Sequence, residues 1–287
     1  MTYCVAMSLD AGMIFASDSR TNAGVDHIAR FSKMRVFARD ADRVIVMLSS
    51  GNLSITQNAI NVVEQHARTG AGDEVHVWNA TSMFEVARLL GDALREVKGR
   101  DGPYMEQHNI DASANFIVGG QIHDEAPRLF EVYSEGNFIE ATPDTCYFQI
   151  GESKYGKPVI DRVVHRGTSL LDATKCTIVS FDSTMRSNIS VGLPIDLLVY
   201  ETDSLRIKLQ RRIDEAHDVL AADLCNNYFP VRAVVKAVGR KVQIALDVNA
   251  PAAGPRLPSR RLLERVGMRR DESAPGPLVV YALDRRA

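Results

Sequence analysis

The residues best suited to covalent chemistry stand near the start of the chain: Thr2, Asp18 and Lys33. Trimming of Met1, normal before a small residue, would leave Thr2 with an α-amine and a hydroxyl on one residue. That pair is a nucleophile carrying its own base. An α-amine has a pKa of about 7.7–8.0, so a useful fraction is neutral near pH 7, and no distant His is required. A Lys33 ammonium near that terminus would lower the pKa of both groups. Asp18 would pair with Lys33 and hold it. Spacing alone leaves open an ordinary surface ion pair, worth about 0–1 kcal/mol.

The elements that must position these residues follow from the hydrophobic pattern. Tyr3–Leu9 and Met13–Ser17 read as a hairpin about Asp10-Ala11-Gly12, so the chain opens with a strand at its second residue. A strand there pins a terminus that would otherwise fray. Residues 19–32 read as polar and irregular. Lys33–Phe37 and Arg43–Ser49 read as a second strand pair, and Ser50-Gly51-Asn52 breaks the pattern. Helical spacing runs over Leu53–His66 and Thr81–Lys98, the latter with the capping pattern Ser82-x-x-Glu85. Strands return at Asn115–Gly119, Arg128–Ser134 and Tyr147–Ile150, helices at Pro158–His165 and Leu170–Ser180, and a last hairpin at Pro194–Glu201 and Leu205–Arg212. Strand runs separated by helical pairs argue against a βαβ winding. They suit an α+β fold of two antiparallel sheets packed face to face with helices outside both.

Composition narrows the class. Hydrophobic residues are 45% and charged residues 24%, the values of a soluble globular chain rather than a disordered or membrane one. No apolar run approaches the ~18 residues that cross a bilayer, and Met1–Cys4 has no basic leader. Cys4, Cys146, Cys176 and Cys225 are widely spaced, and the histidines have no metal-ligand spacing. We therefore expect a cytoplasmic protein with reduced thiols, no metal and no cofactor. Residues 231–287 carry 12 Lys/Arg against 5 Asp/Glu, whereas the rest carries 22 against 31. A basic end on an acidic body suggests a solvated tail, and the acidic body argues against nucleic acid as a partner. The expected division is a folded domain over 1–248 and a disordered Pro/Ala/Arg-rich tail over 249–287, with Val279–Leu283 a lone strand or docking segment.

The opening TYCVAMSLDAGMIFASDSRTNAG and the later DSTMRSNISVGLPIDLLVY resemble bacterial proteasome-type proteases, especially the Anbu (ancestral β subunit) group of the N-terminal-nucleophile hydrolases. The resemblance covers roughly residues 2 to 220. It implies a four-layer αββα sandwich, with Thr2 Oγ as nucleophile, its amine as base, Lys33 as activator and Asp18 as partner. It also implies a backbone oxyanion donor between Leu48 and Gly51, with Ser49 and Gly51 in range. Thr21 and Asn22 fall where the family's backbone pairs with an extended peptide. An acidic residue and a serine three apart hold the amine in the proteasome proper. Here those positions are Ser187 and Ser190. The resemblance further implies peptide or protein substrates and self-assembly into a large homo-oligomer, a ring or a helical stack.

Three other readings stand beside the hydrolase. One is a non-hydrolytic assembly subunit, against which the retained Thr2, Asp18 and Lys33 argue. Another is a small-molecule amidase on the same fold, which a closed pocket at Thr2 would favour over an open groove with a free strand edge. The last is a nucleic-acid module acting through the basic end.

Overall fold

The structure, a computed structural model, describes residues 2–22, 28–69, 74–214, 233–238, 241–247, 269–271 and 278–282. It divides into two compact units, Met1–Arg212 and Ile213–Ala287.

The first unit is built from two five-stranded antiparallel sheets. One contains β1 (Tyr3–Leu9), β2 (Gly12–Asp18), β10 (Tyr147–Gly151), β11 (Ile195–Glu201) and β12 (Ile207–Ile213) in the order β10-β1-β2-β11-β12. The other runs in sequence order through β5 (Met34–Arg39), β6 (Arg43–Gly51), β7 (Ala114–Ile122), β8 (Arg128–Val132) and β9 (Phe138–Glu140). Alternate residues of both sheets meet in a core that includes Cys4, Ala6, Met13, Phe15, Val46, Leu48, Ile117 and Leu198. Period-two alternation therefore points one face of each sheet at the other.

Helices cover both outer faces. α1 (Leu53–Thr69) and α2 (Met83–Glu106) bury Ile55, Ala59, Val86, Leu90 and Leu94 against Ile45, Met47, Phe116 and Val118 of the second sheet. α3 (Lys157–Val163) packs on α4 (Leu170–Ser187), and α4 lies on β1 and β2. There Phe181 meets Tyr3 edge-on, with ring centroids 4.7 Å apart. The expected αββα sandwich is the observed architecture.

The differences in element bounds have physical reasons. The cap at Ser82 forms, its hydroxyl accepting from Glu85 N–H at 3.2 Å, and Glu85 reaches back to Thr81 N–H at 2.7 Å. α2 then runs past Lys98 through Gly99, Gly102 and Pro103, because Val97 and Gly102 are still buried. α4 runs on from Ser180 to Ser187. Its buried stripe contains Thr174, Thr177, Ser180 and Thr184, whose polarity hides the helical period. The three threonine hydroxyls donate to the carbonyls four residues back, at 2.7, 2.8 and 2.9 Å, which makes buried hydroxyls tolerable. Residues 19–32 are not irregular throughout. β3 (Arg20–Asn22) and β4 (Ile28–Arg30) form a short two-stranded ribbon.

Within the second unit, β13 (Ala233–Val238), β14 (Lys241–Asp247), β15 (Arg269–Asp271) and β16 (Leu278–Ala282) form a four-stranded sheet in the order β13-β14-β16-β15. Most of the tail expected to be disordered, and Cys225 and His217, lie outside the described residues.

Candidate active site

β1 is an inner strand, held by β10 on one side and β2 on the other. Its first residues are consequently fixed from both flanks. Tyr3 N–H donates to Asp18 Oδ1 at 2.9 Å, and Glu152 N–H donates to the Thr2 carbonyl at 2.7 Å. Gly151, opposite Tyr3 in the register, adopts φ +89°, and a Cβ there would stand 2.1 Å from the Thr2 carbonyl oxygen. Only glycine lets the end of β10 wrap this closely around Thr2.

Asp18 ends β2 and is fully buried. Lys33 Nζ donates to Asp18 Oδ1 at 2.8 Å and to the Arg20 carbonyl at 2.7 Å. Lys33 is itself only 7% exposed, so this is no surface ion pair. It stands one residue before β5 rather than opening it, and its carbonyl accepts from Ser49 N–H at 3.0 Å. An ammonium has three donors, and these contacts use two. Burial pushes the Asp18 carboxyl above its usual range, against the opposing pull of Lys33 and the Tyr3 amide.

Thr2, Lys33, Thr21, Ser49, Ser50, Gly51 and Gly151 line one cleft of about 420 Å³. Among the described residues the Thr2 hydroxyl makes no hydrogen bond of its own. A second cleft, of about 450 Å³, lies against Tyr147, Lys157, Asp161 and His165 and contains none of the predicted site residues.

The strand ladder sorts the three candidate oxyanion positions. Leu48 is fully buried in the core between the sheets. Ser49 N–H is spent on Lys33, whereas Asn52 N–H on the opposite edge reaches Ser113 O at 2.8 Å. N–H groups alternate between the two edges of a strand. The Gly51 N–H therefore points to the same edge as that of Ser49, past the start of β5 and toward the cleft. Gly51 has φ +102°, and a Cβ there would meet Ser113 O at 2.3 Å.

The second predicted segment is arranged differently. Ser187 is the last residue of α4 and is exposed, and the half-buried Ser190 donates its N–H to Asn188 Oδ1 at 3.0 Å. Neither lines the cleft with Thr2.

Solved structures carry the same arrangement of elements. Anbu from Yersinia bercovieri is 49% identical, with a TM-score of 0.70 over 75% of this chain and 88% of that one. Anbu from Hyphomicrobium sp. strain MC1 is 45% identical, with a TM-score of 0.70 over 78% and 92%. The Anbu of a helical assembly from Pseudomonas aeruginosa is 48% identical, with a TM-score of 0.70 over 74% and 87%. The chain belongs to the Anbu family. No protein-family model matches it, and no curated protein does.

In this Anbu chain sequence reasoning missed the acid whose backbone amide holds the Thr2 carbonyl. Glu152 is buried and accepts from Asn188 Nδ2 at 2.5 Å and from Lys154 N–H at 2.6 Å. Asn188, not Ser187, is thus the residue of its segment that turns inward. The signal was present in Gly151-Glu152: a glycine ending a strand, followed by an acid. Arg20, two residues beyond Asp18, braces the same region. Its guanidinium donates to Ile189 O at 2.9 Å and packs against Gly192, joining β3 to the turn after α4. Among the described residues no cluster of His, Cys, Asp and Glu suits a metal ion.

Proposed function

We propose that the chain is a threonine-type N-terminal-nucleophile amide hydrolase acting on peptides once Met1 is removed. The observation that carries this reading is the buried Lys33–Asp18 pair, whose lysine lines one cleft with Thr2. Asp18 and the Arg20 carbonyl use two of the three Lys33 donors, and within the shared cleft its charge disfavours a second cation on the Thr2 amine. The neutral amine takes the hydroxyl proton as Oγ attacks the substrate carbonyl. The Gly51 N–H stabilises the resulting oxyanion, a contribution of about 3–4 kcal/mol for such donors. Collapse breaks the C–N bond, returns the proton to the leaving amine and leaves an ester on Thr2. Water, deprotonated by the same amine, then releases the acid.

Peptides are favoured over small amides because β3 borders the cleft and pairs, among the described residues, with β4 alone. An extended substrate can add to that edge by main-chain hydrogen bonds. A purely structural subunit would have no use for an ion pair buried at this depth. Self-assembly follows from the family, one of whose members forms a helical assembly, and we place the chain in the cytoplasm. Among the described residues no helix is long and apolar enough to cross a membrane.

The test is intact-mass analysis after treatment with a peptide epoxyketone or β-lactone. One adduct is expected, on Thr2 of a chain without Met1, and absent from Thr2→Ala. Quantitative retention of Met1, or an adduct that survives Thr2→Ala, would overturn the proposal.

A further inference from the structure

The ion pair at the site is carried by two separate stretches of chain, the end of β2 and the turn before β5. Something must hold them in register, because a misplacement of about 1 Å near a reacting group can cost about a hundredfold in rate. The residues flanking the pair carry the clue. Ser19 follows Asp18, and Ser32 precedes Lys33. Both hydroxyls reach the same carboxylate oxygen, Oδ2 of Asp196, at 3.3 and 2.9 Å. Ser32 has a single proton, and its other acceptor within reach is the neutral Met34 carbonyl at 3.1 Å. The charged and nearer oxygen is the better acceptor.

Asp196 is well placed for such a role. It lies on β11 directly opposite Ser17 of β2, so the strand pairing fixes its backbone one residue from Asp18. It is buried, and Arg212 Nη1 on β12 holds it at 3.0 Å from Oδ1 and 3.2 Å from Oδ2. One carboxylate thus anchors both flanks of the pair while touching neither Lys33 nor Asp18. Ser19 N–H is further tied to Pro194 O and Phe31 N–H to Ser19 O, both at 2.9 Å, so the serine hooks close a small rigid frame.

We infer that Asp196 is a positioning residue: through Ser19 and Ser32 it holds the Lys33 ammonium where it can act on Thr2. This rests on the proposed function. It adds a residue that contacts neither the cleft nor the nucleophile.

The experiment compares Asp196→Asn, Asp196→Ala and the double variant Ser19→Ala/Ser32→Ala in the full chain. Labelling of Thr2 by the epoxyketone is followed as kinact and KI. In the double variant the Asp196–Arg212 pair is untouched, so the fold is expected to persist. Its kinact should fall about tenfold to a hundredfold with KI unchanged, as expected when only the reacting geometry is disturbed. Asp196→Asn keeps one oxygen for both hydroxyls and should retain most of kinact, whereas Asp196→Ala should not. A folded double variant with wild-type kinact, or an Asn variant as slow as the Ala variant, overturns the inference. Crystal structures of the wild type and the double variant form an arm that needs no reaction. Lys33 Nζ should leave its contacts with Asp18 Oδ1 and the Arg20 carbonyl, and superimposable contacts overturn the inference. A wild type that takes no adduct counts against the proposed function alone, and the structural arm still decides on Asp196.

Discussion

The two ends of the β1–β2 hairpin are buried to the same degree and built for opposite purposes. Toward its turn, Met7, Leu9, Met13 and Phe15 are apolar and closely packed. Toward its open end, Thr2, Ser17, Asp18 and Ser19 are equally inaccessible and polar. Of the buried side-chain atoms that lack a hydrogen-bond partner among the described residues, Ser17 Oγ and Thr21 Oγ1 lie at this end, on either side of Asp18, and Lys175 Nζ lies elsewhere. An unsatisfied buried polar atom costs about 1–3 kcal/mol, so a fold selected for stability alone would not gather them. One end of the sandwich supplies cohesion, and under the proposed chemistry the other spends some of it to keep reactive groups in place.

The sharpest separation of the two ends comes from Thr2→Ala. Labelling by the probe should fall by at least about a thousandfold, the usual loss when a nucleophile is deleted, with Tm little changed. Lys33→Ala should do both kinds of damage. Labelling should drop about a hundredfold, and stability should fall by about 3–5 kcal/mol, because Asp18 is left buried without its cation. Denaturant titration alongside labelling checks this. Leu198→Ala, in the apolar core, should cost about 2–5 kcal/mol, while labelling of the remaining folded protein stays near the wild-type rate. Equal effects on labelling from Leu198 and Lys33 would erase the contrast.

The acid side of the rate profile sharpens it further. Because the folded Asp18 pKa is raised by burial, its charge is lost as pH falls through a value above the ordinary carboxylate pKa of about 4. Protonation of the amine already slows labelling below neutrality. Loss of the Asp18 charge should steepen the slope of log kinact from about one to about two. A profile that keeps a single slope down to pH 4 would place Asp18 in the normal range. The smallest effect belongs to Ser82→Ala, a helix cap remote from the cleft, which should lower stability by about 1 kcal/mol and leave labelling untouched.

How far this contrast was legible in the sequence follows from the same physics. The apolar end was plain, because the nearly continuous apolar run Tyr3–Leu9 and the helical spacing over Thr81–Lys98 report burial directly. Thr2, Asp18 and Lys33 were found as types and spacings; the structure brings Thr2 and Lys33 to one cleft and pairs Lys33 with the buried Asp18. Glu152, Asn188 and Asp196 were not found. Each acts through a partner far away in sequence, and nothing local distinguishes a buried Asn188 from an exposed Ser187 at the end of a helix. Ribbon β3–β4 was hidden because Arg20-Thr21-Asn22 is polar throughout and each strand is only three residues long. The later turns of α4 were hidden because its buried face is made of hydroxyls. Polar burial is what single-sequence periodicity cannot see, and much of it is gathered around the candidate site.

The position of β1 between two neighbours also has a practical side. Its first peptide unit is gripped from both flanks, by Glu152 at one carbonyl and Asp18 at one amide. Under the proposed chemistry, any purification handle fused ahead of Thr2 ties the essential nitrogen into an amide. A handle cleaved to leave even one extra residue silences the protein as fully as the intact handle does. Recombinant preparations with identical folds and masses a few residues apart would then differ completely in reactivity.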